Sequence, residues 1–171
     1  MNANHSKDPA SQVTGHVVGP AHSSPALVRP EDSCVFVIFG ASGDLTGRKL
    51  IPALYNLYCQ KLLPPGFAVL GYAFTEWTED EFRNKMREWA AESDEVGQFD
   101  DAKWSTFVTK LHYMTGDFEH ADGYKKLAER LPDIDRECGC AGNRLYYLAT
   151  APDFFGVIVR NLGKQDRKSV V

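Results

Sequence analysis

The chain has 171 residues, 43% of them apolar and 25% charged, with a formal net charge of −4, the make-up of one ordinary globular domain. A net negative charge argues against a protein that grips nucleic acid through a basic surface. No apolar run approaches the roughly 20 residues a membrane helix requires, and no basic start is followed by an apolar stretch, so the chain reads as neither membrane-bound nor secreted.

Residues 1–31 are poor in large apolar side chains and rich in Ser, Pro, Ala, Gly and His. Such a segment cannot bury enough surface to offset its ordering entropy and reads as a disordered tail. The domain proper is assigned to 32–171. Cys34 to Phe39 is a continuous apolar run, the pattern of a parallel strand buried on both faces. From Leu45 to about Leu62 the residues Leu50, Leu54, Leu57, Tyr58 and Leu62 recur at helical spacing. Pro52 conflicts with that helix because it lacks a backbone donor; a helix start near Ile51, or a kink, reconciles it. Pro64-Pro65-Gly66 is a turn, and Phe67 to Phe74 a second strand.

Thr78 and Glu81 form a capping box. The helix they open turns Phe82, Met86 and Trp89 to one side. Asp101 to about Leu111 is a short helix with Trp104, Phe107 and Val108 inward. His112 to Phe118 reads as a strand, and Asp122 to about Arg130 as a helix that ends before Pro132. Arg144 to Thr150 is a strand. Pro152 to Leu162 is a helix with proline in its first turn and an apolar face of Phe155, Ile158, Val159 and Leu162. The alternation predicts an α/β fold: a Rossmann-like, doubly wound parallel sheet, incomplete at its C-terminal end.

Cys34 and Cys59 fall in apolar patterns, and Cys138 and Cys140 form a C-x-C pair in a predicted loop. A zinc site would need further ligands at suitable spacing, and none is found. Free thiols fit a cytoplasmic protein.

The chemistry concentrates at Gly40-Ala41-Ser42-Gly43-Asp44-Leu45, between a buried strand and a helix. A dinucleotide-binding turn needs a tight bend, a backbone that approaches the pyrophosphate, and a helix whose free N–H groups face the phosphates. Gly40 supplies the bend and Gly43 the approach; Thr46 and Gly47 are the small residues at the third position. The bland alternative is that the glycines serve only a tight connection. Asp44 repels phosphate and is read as a helix cap or a partner of backbone amides. The Ser42 hydroxyl can meet a phosphate or cap the helix. Lys49 is either a phosphate contact or a solvated charge. A short-chain dehydrogenase would carry a lysine four residues after a tyrosine, but Tyr124 is followed by Ala128, and Tyr146 and Tyr147 by Thr150 and Ala151.

The stretch from Phe39 to Tyr58, with G-A-S-G-D-L, a basic K-L and a proline in the helix, resembles the N-terminal signature of glucose-6-phosphate dehydrogenases. So does Gly142 to Leu162, "GNRLYYLATAPDFFGVIVRNL", and the segments between match in order and length. The resemblance implies an NADP-binding domain, with Gly40, Ala41, Ser42, Gly43, Asp44, Leu45, Thr46, Lys49, Phe74 and Thr75 at the cofactor. It also implies an enzyme that moves a hydride from glucose 6-phosphate to NADP at the entry of the pentose phosphate pathway, as a homo-oligomer; from charge, hydropathy and ligand spacing, no nucleic acid, membrane or metal is expected. The family's catalytic histidine, its aspartate and the lysine of its E-K-P-F-G segment have no counterpart here. The chain alone is therefore expected to be inactive, a binding module prone to association through open sheet edges. His112 and His120 lie elsewhere in the pattern and are not candidates for the base.

One departure bears on the cofactor. The family usually places an arginine for the adenosine 2′-phosphate where this chain has Phe74. A phenyl ring makes no charge-assisted bond to phosphate, though it can stack on adenine. Glu76 would repel a 2′-phosphate and could accept from a ribose hydroxyl. NADP remains the expected cofactor, through Thr75 and Lys49, with NAD as the alternative. Phe155 falls near a family aromatic beside the cofactor, or is a helix core residue.

Overall fold

The computed structural model describes residues 33–140 and 142–166; the tail assigned to 1–31 lies outside them. Strand β1 (Cys34–Phe39) leads into the glycine loop and a single wide helical turn, Thr46–Leu50, which continues as α1 (Ile51–Cys59). Then come β2 (Phe67–Ala73), α2 (Glu79–Ala91), α3 (Asp101–Phe107), β3 (Leu111–Thr115), α4 (Ala121–Cys138), β4 (Arg144–Leu148) and α5 (Phe155–Asp166). The four strands are all parallel, in the order β3-β2-β1-β4. This is the expected α/β Rossmann-like arrangement, with its topological switch between β1 and β4.

Successive strand side chains point to opposite faces, so β1 feeds two cores. Phe36 and Ile38 join Ile51 and Tyr55 of α1, Phe82 and Met86 of α2, and Trp104 and Phe107 of α3. Val35, Val37 and Phe39 join Tyr124, Leu127 and Ile134 of α4 and Ile158 of α5. β4 is covered on that second face only; Leu145 and Tyr147, on the other, are exposed, and β4 is an edge strand among the described residues.

Pro52 sits where the wide turn becomes α1. The Ile51 amide reaches back to the Thr46 carbonyl, five residues earlier, and proline occupies the first turn of α1, where no intrahelical donor is needed. The capping box forms in full: Glu81 N donates to Thr78 Oγ1 at 3.2 Å and Thr78 N to Glu81 Oε2 at 2.7 Å.

Several expectations are corrected. α4 runs through Pro132 to Cys138 instead of stopping at Arg130. Its amphipathic stripe of Tyr124, Leu127, Leu131 and Ile134 is buried throughout, and that burial outweighs the one backbone bond the proline removes. Cys138 is thus helical rather than in a loop, and Gly139 ends the helix with φ 68°. β3 stops at Thr115. The inward stripe of α5 is rotated: Phe155 and Val159 are exposed, while Ile158 and Asn161 are buried, with Asn161 Nδ2 donating to the Phe118 carbonyl at 3.3 Å. Leu57 of α1 is exposed, and Tyr55 is the residue that enters the core.

Tyrosines anchor both cores. Tyr124 Oη donates to the Phe118 carbonyl at 2.7 Å, Tyr72 Oη to that of Asp117 at 3.1 Å, and Tyr113 Oη to that of Thr75 at 2.7 Å. Burial, the dominant cause in each case, raises the phenols of Tyr113 and Tyr124 from 10.0 to about 12 and that of Tyr72 in the same direction. A phenol whose folded pKa exceeds its unfolded value favours the fold while it keeps its proton. That contribution is intact below pH 10.0 and is lost as pH climbs toward about 12. Alkaline titration followed at 295 nm together with circular dichroism should therefore show a group of tyrosines ionising only as the secondary structure is lost. Ionisation of every tyrosine near its ordinary value in a still-folded chain would contradict this burial.

Candidate functional site

The glycine loop lies at the C-terminal end of β1, in the crevice opened by the switch to β4. Gly40 has φ +85° and donates its N–H to the Tyr72 carbonyl at 2.8 Å. A Cβ there would stand 2.3 Å from the Ala149 carbonyl oxygen, just past β4. Only glycine permits this bend under that carbonyl. Gly43 closes the turn, its N–H donating to the Gly40 carbonyl at 2.9 Å. A Cβ on Gly43 would meet that same carbonyl at 3.1 Å and nothing else within 4 Å, so its outer side is open. The helical turn that follows leaves its first N–H groups without intrahelical partners. Shape and donors fit a pyrophosphate.

Hydroxyls tie the loop to the end of β2. Thr75 Oγ1 donates to Ser42 Oγ at 2.7 Å, and the Thr75 carbonyl accepts from Tyr113 Oη at 2.7 Å and Thr115 Oγ1 at 3.0 Å. Thr46 is fully buried and its Oγ1 donates to the Gly40 carbonyl at 3.3 Å. Ala41 is also fully buried, against Gly71 of β2. These two candidates shape the loop from beneath. Leu45 is half exposed beside it.

The helix start is held down by Trp89 of α2. A Cβ on Gly47 would fall 1.3 Å from a carbon of the Trp89 ring, so the indole occupies the space a side chain would take. This close approach sets where the helix points its N-terminus.

Phe74, 48% exposed, follows β2 and packs on Phe118 at 4.2 Å and Phe154 at 5.9 Å between ring centres. It presents a supported aromatic face on the loop side of the sheet. The charged candidates are placed otherwise. Asp44 makes no cap bond, contrary to expectation; it pairs with Arg48 on the exposed helix surface, four residues on, where the ion pair competes with capping. Lys49 Nζ lies 2.6 Å from Glu95 Oε1, beyond the C-terminal end of α2, whereas Phe74 and Thr75 precede that helix. The loop, Ser42, Thr75 and Phe74 are therefore brought together, and Lys49 is drawn aside. Tyr113, Thr115, Trp89 and Ala149 support the site but were missed in the sequence, because each acts through a contact between distant segments.

Neither described histidine stands at the loop. His120 is exposed, with Nδ1 2.7 Å from Asp117 Oδ2. His112 is buried, with Nδ1 3.4 Å from Glu79 Oε2 and Nε2 3.7 Å from Cys138 Sγ. Burial pushes the Glu79 carboxyl upward, but bonds from His112, Arg83 and the Tyr113 amide outweigh it and hold the group below its ordinary value. Among the described residues no cluster of His, Cys, Asp or Glu could hold a metal ion, and no helix is long and apolar enough to cross a membrane.

Comparison with known proteins agrees with this geometry. The family described as "Glucose-6-phosphate dehydrogenase, NAD binding domain" matches residues 37–170. The glucose-6-phosphate 1-dehydrogenase of Chlamydia muridarum is 40% identical over 131 residues, covering 77% of this chain and 26% of that protein. The enzyme of Aggregatibacter actinomycetemcomitans is 43% identical over 144 residues, covering 80% and 28%. A glucose-6-phosphate dehydrogenase solved with its substrate glucose 6-phosphate superposes with a TM-score of 0.69 at 31% identity, over 78% of this chain and 28% of that one. That of Mycobacterium avium gives 0.67 at 32%, over 78% and 27%. The chain thus spans about a quarter of the length of these relatives.

The contacts separate the loop glycines by role. Gly40→Ala should cost roughly 2–5 kcal/mol of stability, since left-handed backbone and overpacking each cost a few kcal/mol. Gly43→Ala should cost less than about 1 kcal/mol, the scale of a substitution without such a clash. Urea unfolding of both variants checks this; equal losses would contradict the assigned contacts.

Proposed function

The chain belongs to the glucose-6-phosphate dehydrogenase family, as its NAD-binding domain, and from that premise we propose that the crevice between β1 and β4 holds NADP for hydride transfer from glucose 6-phosphate in the cytoplasm, within a homo-oligomeric enzyme. The observation that carries this reading is the left-handed Gly40 beneath the Ala149 carbonyl, with the outer side of Gly43 left open. In this reading Gly40, Ser42, Gly43 and the first amides of the helix, from Asp44 and Leu45 onward, meet the pyrophosphate. Ala41 and Thr46 keep the loop in shape. Phe74 stacks on the adenine, and Ser42 and Thr75 face the adenosine ribose. Lys49 would reach a phosphate only by leaving Glu95.

NADP would supply the hydride acceptor; the residues here bind and orient it. The hydroxyls of Ser42 and Thr75 can donate to a 2′-phosphate or accept from a 2′-hydroxyl. They therefore discriminate weakly, and the strong selector, a cation at position 74, is replaced by a ring. Fluorescence titration of the chain should show NADPH binding more tightly than NADH, by less than about tenfold, the difference between a hydroxyl's bond to a charged oxygen and its bond to a neutral one. Phe74→Arg should widen the ratio by about tenfold or more, the scale of a charge-assisted bond to phosphate. Tighter binding of NADH would make this an NAD site. Binding of neither by a folded chain would overturn the reading.

A further inference from the structure

At the opposite end of the sheet from the glycine loop, the descent from α1 to β2 borders a pocket of about 310 Å³. Its floor is apolar and aromatic, with Tyr58, Leu63 and Phe67. Its rim carries three lysines, Lys61, Lys103 and Lys110, and no carboxylate lines it, although the whole chain carries a net charge of −4. Lys103 shares its charge with Asp100 at 3.7 Å, and Lys110 Nζ donates only to the Pro65 carbonyl, at 3.3 Å. The Lys61 ammonium has no partner among the described residues.

The backbone at Lys61 is the second observation. α1 ends in a Schellman motif: Leu62 N donates to the Leu57 carbonyl and Lys61 N to the Tyr58 carbonyl, each at 2.9 Å. The central position of that motif is left-handed and is ordinarily glycine. Here it is Lys61, with φ 58°, the only non-glycine residue of positive φ among the described residues. A side chain held against its backbone preference points to a role for that side chain.

We propose that this pocket binds a small amphipathic anion: a phosphate or carboxylate group on an aromatic or apolar body, the anion held by Lys61 and Lys110 and flanked by Lys103, the body seated on Tyr58, Leu63 and Phe67. The size suits a compact ligand of that class. The site shares no residue with the dinucleotide loop and does not depend on its assignment.

Calorimetric titration of the full chain with 1-naphthyl phosphate tests this, with 1-naphthol and inorganic phosphate as the separated halves. The expected result is a dissociation constant for 1-naphthyl phosphate below about 1 mM, with each half at least about tenfold weaker, since charge and apolar body contribute together. Lys61→Gly and Lys110→Gln should each weaken it about fivefold or more. Lys61→Gly relieves the backbone, so its thermal midpoint should hold or rise; lost binding then cannot come from lost folding. Absence of binding, binding that both variants leave unchanged, or binding of inorganic phosphate as tight as that of 1-naphthyl phosphate would each overturn the proposal.

Discussion

β1 passes between two neighbours and must turn sharply under the Ala149 carbonyl, and most of the site follows from that close approach. A residue with a Cβ at position 40 would collide with that oxygen at 2.3 Å, so the bend is available only to glycine. Because the bend is sharp, the helix starts directly above the strand end. Because α2 then crosses at Gly47 with an indole where a side chain would stand, the helix is pressed into one direction. The amides of its first turn are thereby fixed before any ligand arrives, and a fixed set of donors loses little entropy on meeting a phosphate.

The second constraint is the alternation of β1. Its odd and even residues enter different cores, one closed by α1, α2 and α3 and the other by α4 and α5. Because crossovers are right-handed, the reversal of strand order between β1 and β4 places helices on both faces and gives this two-sided burial, and ligands of open α/β sheets bind at such a switch. Among the described residues β4, next to the switch, is covered by helices on one face only, with Leu145 and Tyr147 exposed on the other.

Local signals were legible in the sequence where chemistry and geometry coincide in a short stretch. The G-A-S-G loop, the capping box of Thr78 and Glu81, and the apolar run of β1 each depend on neighbours within a few residues. Pro52 was also readable as a first-turn residue. What escaped depends on contacts across the fold. Pro132 looked like a stop because its missing donor is a local fact, while the burial of Leu131 and Ile134 that carries the helix past it is a tertiary one. Phe155 and Val159 looked like core residues because apolarity alone was visible; the buried Asn161 that rotates the helix was not. The charges of Asp44 and Lys49 are visible by type, but their partners in the fold, Arg48 and Glu95, are not.

In the reading proposed above, fixed backbone amides at the end of β1 receive the dinucleotide. Amide shift mapping by heteronuclear NMR on addition of NADPH tests it most directly. The largest shifts should fall on Gly40 to Thr46, with a second group at Phe74 and Thr75. Shifts concentrated elsewhere, with the amides of Gly40 to Thr46 unmoved at saturation, would contradict it.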